Sequence, residues 1–173
     1  MKIIEIKEVT LHNVLQLQKI GKTTFHETFS AFNSAENMDE YLHRGFSIDQ
    51  LTIELNDTNS KFYFAELNNS IIGYLKLNFG YSQTELNDEK GLEIERIYVL
   101  KAYHGNNVGQ TLYNKAVKVA QQKEVEYMWL GVWEKNLRAI NFYSKNGFVE
   151  FDKYIFVLGN DQQTDIMMKL KII

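Results

Sequence analysis

Between Leu92 and Phe148 the chain passes through a strand, a small-residue loop, a helix, a second strand and a second helix. Few architectures accommodate that order. Leu92 to Leu100 is a hydrophobic run, followed by His104-Gly105-Asn106-Asn107-Val108-Gly109. Val108, Leu112, Ala116 and Val119 then form the apolar stripe of a helix. Tyr127 to Trp133 reads as a strand, and a helix beginning near Asn136 ends at Asn146-Gly147, a C-cap pair. Successive N–H groups in a tight turn that runs into a helix N-terminus can hold an anion, helped by the helix dipole. Gly105 and Gly109 leave the backbone free of Cβ obstruction there. By itself such a loop is more often a plain turn.

The flanking sequence fixes the class. Lys2 to Val9 alternates like a half-buried strand. Thr10 can cap a helix with Leu11, Val14, Leu17, Gln18 and Gly21 on one side, continuing to Phe25, Thr28 and Phe29. Ser34 opens a helix carrying Met38, Tyr41 and Leu42, and Ser47 is a capping-box start for one carrying Leu51 and Leu55. Phe62 to Ala65 and Ile71 to Phe79 are strands joined by Asn68-Asn69-Ser70, a hairpin signal. Gly80 to Lys90 reads as a polar, mobile loop. Val149 to Leu158 and Thr164 to Ile172 read as strands around a turn from Gly159 to Gln163. The order predicts an α/β chain with a mixed sheet, mostly antiparallel and flanked by helices, not a repeated βαβ winding. With no repeat or linker, residues 1–173 are expected to form one domain.

Composition removes several chemistries. No cysteine is present, so thiolate nucleophiles and cysteine-based zinc sites are excluded. The four histidines (His12, His26, His43, His104) show no metal-binding spacing, so no metal is expected. A net charge of −3 argues against a nucleic-acid partner and suits a cationic substrate. Met1-Lys2-Ile3-Ile4-Glu5 lacks the apolar core of a signal peptide, and no run reaches membrane-spanning length. A cytoplasmic protein without a membrane partner is expected.

Asn136 and Tyr143 are seven apart, about two helical turns, and so project from nearly one face. Phe142-Tyr143 by itself reads as core aromatics at a helix end. The whole run, Asn136-Leu137-Arg138-Ala139-Ile140-Asn141-Phe142-Tyr143-Ser144-Lys145-Asn146-Gly147-Phe148, resembles the signature Asn-x-x-Ala-x-x-Phe-Tyr-x-Lys-x-Gly-Phe of the GNAT superfamily of acyl-CoA-dependent N-acyltransferases. That resemblance implies the GNAT fold and acetyl-CoA as cosubstrate. It implies that Asn136 contacts the pantetheine arm and that Tyr143 lies near the thioester sulfur and protonates the departing thiolate. A phenol so placed is a competent general acid. The stretch from His104 to Gly109 resembles the family's pyrophosphate loop, Gln/Arg-x-x-Gly-x-Gly/Ala, with two departures. Asn107 replaces a glycine and tolerates left-handed geometry. His104 replaces Gln/Arg and can donate a hydrogen bond to phosphate. The implied cofactor-binding set is Ile97, Tyr98, Val99, His104, Gly105, Asn106, Asn107, Val108, Gly109, Gln110, Thr111, Asn136, Tyr143 and Lys145. Backbone groups of Ile97 to Val99 would pair with pantetheine and supply an oxyanion donor.

Strand alternation puts Glu93, Glu95, Ile97 and Val99 on one face. A carboxylate among apolar neighbours would have a raised pKa and could accept the amine proton. Glu95 matches the position that carries the base in some relatives. A carboxylate paired with a basic neighbour is the alternative. Phe25-His26-Glu27-Thr28-Phe29, the run from Asn33 to Met38, Trp129-Leu130-Gly131-Val132-Trp133-Glu134-Lys135-Asn136 and Gln163-Thr164-Asp165 resemble the PaiA group of polyamine acetyltransferases. The implied substrate is spermidine or spermine. A polycation needs carboxylates and aromatic faces; Glu27, Glu36, Trp133 and Glu134 are candidates. Other acceptors (a protein N-terminus, a lysine, a drug amine) and a non-catalytic acyl-CoA sensor stay open, as does a homodimer, since several GNAT members are dimers.

Overall fold

The computed structural model describes residues 3–173, so Met1 and Lys2, the latter the first residue of the expected strand, lie outside it. In chain order the elements are β1 (Glu5–Glu8), α1 (Val14–Phe29), α2 (Ala35–Gly45), α3 (Ile48–Asn56), β2 (Ser60–Leu67) and β3 (Ser70–Phe79). They continue as β4 (Gly91–Val99), α4 (Val108–Gln122), β5 (Tyr127–Trp133), α5 (Leu137–Lys145), β6 (Val149–Leu158) and β7 (Asp161–Lys171). The strands form one seven-stranded sheet in the order β1-β2-β3-β4-β5-β7-β6. Every neighbouring pair is antiparallel except β4 and β5.

Local chemistry explains the boundaries. Ser34 Oγ accepts from Asn37 N at 3.1 Å and Ser47 Oγ from Gln50 N at 3.1 Å, each satisfying an N–H that the first helical turn leaves without a carbonyl. Gln50 reaches forward to Glu54 rather than back to Ser47, so the expected capping box is only half formed. Asn68 and Asn69, at φ +50° and +63°, make the left-handed two-residue turn that matches the twist of a hairpin. Thr10 caps only a short 3-10 turn, and α1 begins at Val14; Leu11 stands apart from the buried stripe of Leu17 and Gly21. The β6–β7 turn is only Gly159-Asn160, with Gly159 at φ +63°, and β7 starts at Asp161 rather than Thr164. The polar composition of residues 161–163 hid this extension.

The sheet separates two apolar layers. On one side Leu75, Leu77, Ile94 and Leu130 pack with Leu112 and Ala116 of α4 and with Tyr143 of α5. On the other, Phe62, Phe64 and Tyr74 pack with Leu17 and Phe25 of α1, Met38 of α2 and Leu51 of α3. Burying each such side chain contributes about 1.5–3 kcal/mol, so the cofactor-side and opposite-side helices are both firmly held.

Two irregularities shape the middle of the sheet. In the β3–β4 ladder Lys76 faces Arg96 and Leu77 faces Ile94, which leaves Glu95 without a partner. This is a β-bulge, and the extra residue shifts the side-chain phase. Leu92, Ile94, Ile97 and Val99 therefore face α4, while Glu93, Arg96 and Tyr98 face α1. The expectation that Glu93, Glu95, Ile97 and Val99 share a face is thus corrected. Secondly, β4 and β5 pair only over Gly91–Tyr127, Leu92–Met128 and Glu93–Trp129. Beyond Glu93 the strands part, leaving a wedge in the sheet.

The segment from Gly80 to Lys90, expected to be mobile, is tied down. Trp129 Nε1 donates to Gln83 Oε1 at 2.5 Å, Tyr127 donates to Asp88 at 2.6 Å and Ser82 donates to Asp57 at 2.6 Å. No helix among the described residues is long and apolar enough to cross a membrane.

Candidate active site

Two cavities open from the wedge. One, of about 450 Å³, lies toward α4; the other, of about 330 Å³, lies toward α1. Ile97, Tyr98, Asn136, Ala139 and Tyr143 line both, so the two spaces meet at these residues.

The α4-side cleft is bounded by the loop ahead of α4. Asn107 is the N-cap at φ +63° and offers no side-chain cap, and Gly105 sits at φ +80°. The first-turn amides of Val108, Gly109 and Gln110 therefore have no carbonyl partner within the helix. A Cβ built on Gly105 or Gly109 would meet nothing within 4 Å, so this cradle is open in front of the amides. Its shape and donors fit a phosphate group. Along β4, Leu100 N bonds to Ile72 O at 2.9 Å. Alternation then directs the peptide groups of Ile97 and Val99 away from β3, into the wedge.

His104 departs from its expected use. Its Nε2–H donates to Val99 O at 2.8 Å, and its Nδ1 accepts from the Arg138 guanidinium. Both ring nitrogens are thus engaged within the protein, and neither is left for phosphate. The position instead brings Arg138, from the first turn of α5, to the lining of the cleft. The sequence carried no signal for this, because Arg138 falls at a variable position of the signature. Asn106, Thr111 and Lys145 do not line the cleft. Thr111 Oγ1 bonds Asn107 O at 2.9 Å, the Asn106 amide bonds His104 O at 3.3 Å, and Lys145 is exposed at the end of α5. The Gln110 side chain lines the cleft but binds Asn146 at 2.9 Å, joining α4 to the end of α5.

Asn136 and Tyr143 both line the junction, on the shared side of α5 that their spacing predicted. Asn136 Oδ1 accepts from Ala139 N at 3.2 Å and caps α5, which leaves its NH₂ as a donor. The Tyr143 ring is held edge-on by Phe142 and Phe148, with centroids at 5.3 and 5.6 Å. Only 6% of Tyr143 is exposed, and its hydroxyl has no hydrogen-bond partner among the described residues. Burial pushes the phenol above its ordinary value, so it stays protonated and able to donate.

The α1-side cavity has aromatic walls and acidic residues. Phe25 stacks on Tyr41 at 4.4 Å, and Phe29 lies 6.1 Å from Trp133. Glu85, Glu93, Glu95 and Asp165 line it, against Arg96 as the one lining cation among the described residues. Arg96 and Glu95 belong to a buried ring of four charges. Lys76 Nζ lies 2.5 Å from Glu95 and 3.0 Å from Glu54, and Arg96 lies 3.1 Å from Glu95 and 3.0 Å from Glu54. Burial alone would raise the Glu95 carboxyl, but Arg96 and Lys76 prevail and hold it down to about 2. A carboxylate held so low is a poor proton acceptor, so the expected raised pKa at Glu95 is corrected. The ion-paired alternative is the one observed.

Two other acids are pushed the opposite way. Burial raises Glu93, although Thr84 donates to it through both N (2.9 Å) and Oγ1 (2.5 Å) and Asn78 through its amide (3.0 Å). Burial also raises Asp165, to about 6, against the lowering effect of the 3.1 Å bond from Tyr154 Oη. Of the acids expected to greet a cation, none is in this cavity: Glu27 accepts from Lys101 N at 2.8 Å, Glu36 is exposed, and Glu134 lines a separate shallow pocket. Trp133 is in place. Asp165 ends the Gln163-Thr164-Asp165 run noted in the sequence; Tyr154 and Glu85 carried no signal.

The comparisons agree with this geometry. Residues 22–148 match the model of the acetyltransferase (GNAT) family. The chain is 36% identical over its whole length to an uncharacterized N-acetyltransferase in the pepI 3′ region of Lactobacillus delbrueckii subsp. lactis, covering 98% of that protein. The PaiA N-acetyltransferase of Thermoplasma acidophilum, in complex with coenzyme A, superposes with a TM-score of 0.80 at 22% identity, over 98% of this chain and 99% of that one. The ribosomal-protein-S18-alanine N-acetyltransferase of Escherichia coli superposes with a TM-score of 0.73 at 15% identity, over 98% and 94%. With an open phosphate cradle, a split sheet and a buried, unpartnered tyrosine at the point where two cavities meet, the chain belongs to the acetyltransferase (GNAT) family and is an acetyl-CoA-dependent acetyltransferase.

Proposed function

We propose that the acceptor is a polyamine of the spermidine or spermine class, acetylated on a primary amine. The observation that carries this reading is the acidic, aromatic cavity that meets the cofactor cleft at Tyr143. Glu95 and Arg96 cancel within their four-charge ring, so the remaining lining charge comes from Glu85, Glu93 and Asp165. Carboxylates among aromatic faces favour an extended polycation. Fold likeness does not choose the acceptor, because the superposing structures include enzymes named for different substrates.

Acetyl-CoA, when bound, supplies an activated acetyl thioester. The amides of Val108, Gly109 and Gln110 would hold its pyrophosphate, and the Ile97 peptide group, the Val99 N–H and the Asn136 amide would align the arm. An N–H facing the wedge would stabilise charge on the acyl oxygen. The neutral amine would attack the acyl carbon, forming the C–N bond as the C–S bond breaks. Tyr143 would give its proton to the leaving sulfur, and the proton shed by the amine would pass through water and restore the phenol.

The test is thiol release from acetyl-CoA with purified protein and spermidine, spermine, putrescine, a lysine peptide and an aminoglycoside. Spermidine and spermine are expected to turn over well above the rest. Turnover restricted to the peptide or the aminoglycoside would sink the polyamine reading. In the same assay Arg138→Ala is expected to raise the KM for acetyl-CoA about 3- to 10-fold with kcat nearly unchanged, as for loss of one exposed charge near phosphate. An unchanged KM would remove Arg138 from cofactor binding.

A further inference from the structure

Asp165 is a half-buried carboxylate without a counter-charge. No lysine, arginine or histidine among the described residues lies within 4.0 Å of it, whereas Glu54 and Glu95 nearby are each matched by two cations. Its one side-chain hydrogen bond comes from Tyr154, its neighbour across the β6–β7 ladder. That partner is built in. Tyr154 Oη lies over Gly131, where any Cβ would overlap it, so glycine on β5 makes room for the Tyr154–Asp165 pair. Glu85 from the β3–β4 connection and Glu93 from β4 add negative charge around the pair, and Trp133 from β5 stands beside Asp165 in register. The same cavity is lined by Tyr143, a residue only 6% exposed whose hydroxyl has no hydrogen-bond partner among the described residues, which independently marks it as a ligand space.

We propose that Asp165, oriented by Tyr154 across Gly131, is the specificity-determining carboxylate that anchors the second, non-reacting ammonium of the acceptor. This rests on the polyamine reading above and extends it to a named residue. The assignment to the non-reacting nitrogen follows from chemistry. An amine beside a carboxylate is stabilised as ammonium, which has no lone pair and cannot attack. The reacting nitrogen must be neutral and must reach the junction shared with the cofactor cleft. Asp165 and Tyr154 line only the α1-side cavity and not that cleft. A cation held there leaves the other end of a flexible chain free to reach Tyr143.

The experiment compares Asp165→Asn with the unaltered enzyme on spermidine and on n-butylamine, which has no second nitrogen. The side chain keeps its shape and loses its charge. The ratio of kcat/KM for spermidine to that for n-butylamine is expected to fall about 10- to 100-fold, mainly through the KM for spermidine, as for loss of a charge-assisted hydrogen bond. Tyr154→Phe, which keeps the ring and frees Asp165, is expected to lower the ratio by less. A collapse of kcat on both amines would place Asp165 at the reacting nitrogen and overturn the proposal. An unchanged ratio with spermidine still turned over would overturn it alone. Absence of spermidine turnover by the unaltered enzyme would take down the polyamine reading together with it.

Discussion

Replacing Tyr143 with phenylalanine is expected to lower kcat about 100- to 10,000-fold, the usual range for loss of a general acid. Binding of acetyl-CoA, measured by titration calorimetry, should stay within about twofold, because the phenyl ring keeps its packing on Phe142 and Phe148. Stability should hardly move. The hydroxyl makes no hydrogen bond among the described residues, so its removal leaves no protein group unpaired. The pH profile gives a second reading. Burial raises the phenol above its ordinary value of 10.0, so the acid form persists as pH rises through 10. The kcat of the unaltered enzyme should therefore not fall between about pH 8 and 10 through ionisation of this group. A phenylalanine variant with undiminished kcat would dismiss Tyr143 from the reaction.

Much of this site is legible in the amino-acid sequence, for a physical reason. The cradle, Asn136 and Tyr143 depend on short-range geometry: a loop meeting a helix start, and two residues two turns apart on one helix. Such relations are written in consecutive residues. The phase of β4 is not. Alternation places Glu93 and Ile97 together only if the ladder is regular, and the bulged Glu95 pairs with Lys76 on the neighbouring strand, which in turn pairs with Glu54 of α3. The same limit applies to His104, whose partners are Val99 and Arg138, and to the acceptor acids, which come together from β4, β7 and the β3–β4 connection. Glu27 and Glu36 stand near the right aromatics in sequence, yet neither side chain lines the acceptor cavity. What the sequence conceals is long-range pairing between charged groups.

That pairing carries the second large effect. Lys76→Met is expected to destabilise the protein by about 3–5 kcal/mol, read as a lowered denaturant midpoint. Lys76 is 5% exposed and contacts both Glu54 and Glu95; without it two carboxylates share only Arg96. Adding Glu95→Leu restores one acid to one base and should recover most of the loss, since a buried pair can be replaced by apolar side chains with little cost. If the double variant remained as unstable as the single, uncompensated charge would not be the cause. The sign with pH is fixed by the Glu95 carboxyl, held down from 4.5 to about 2. Its stabilisation is complete above about pH 4.5 and is lost as pH falls through about 2, so the stability gap between the single variant and the unaltered protein should narrow as pH falls below about 4.5. The double variant also separates structure from chemistry. It lacks the Glu95 carboxylate while keeping the Arg96–Glu54 bond, and retained turnover would dismiss Glu95 as the proton acceptor of the reaction.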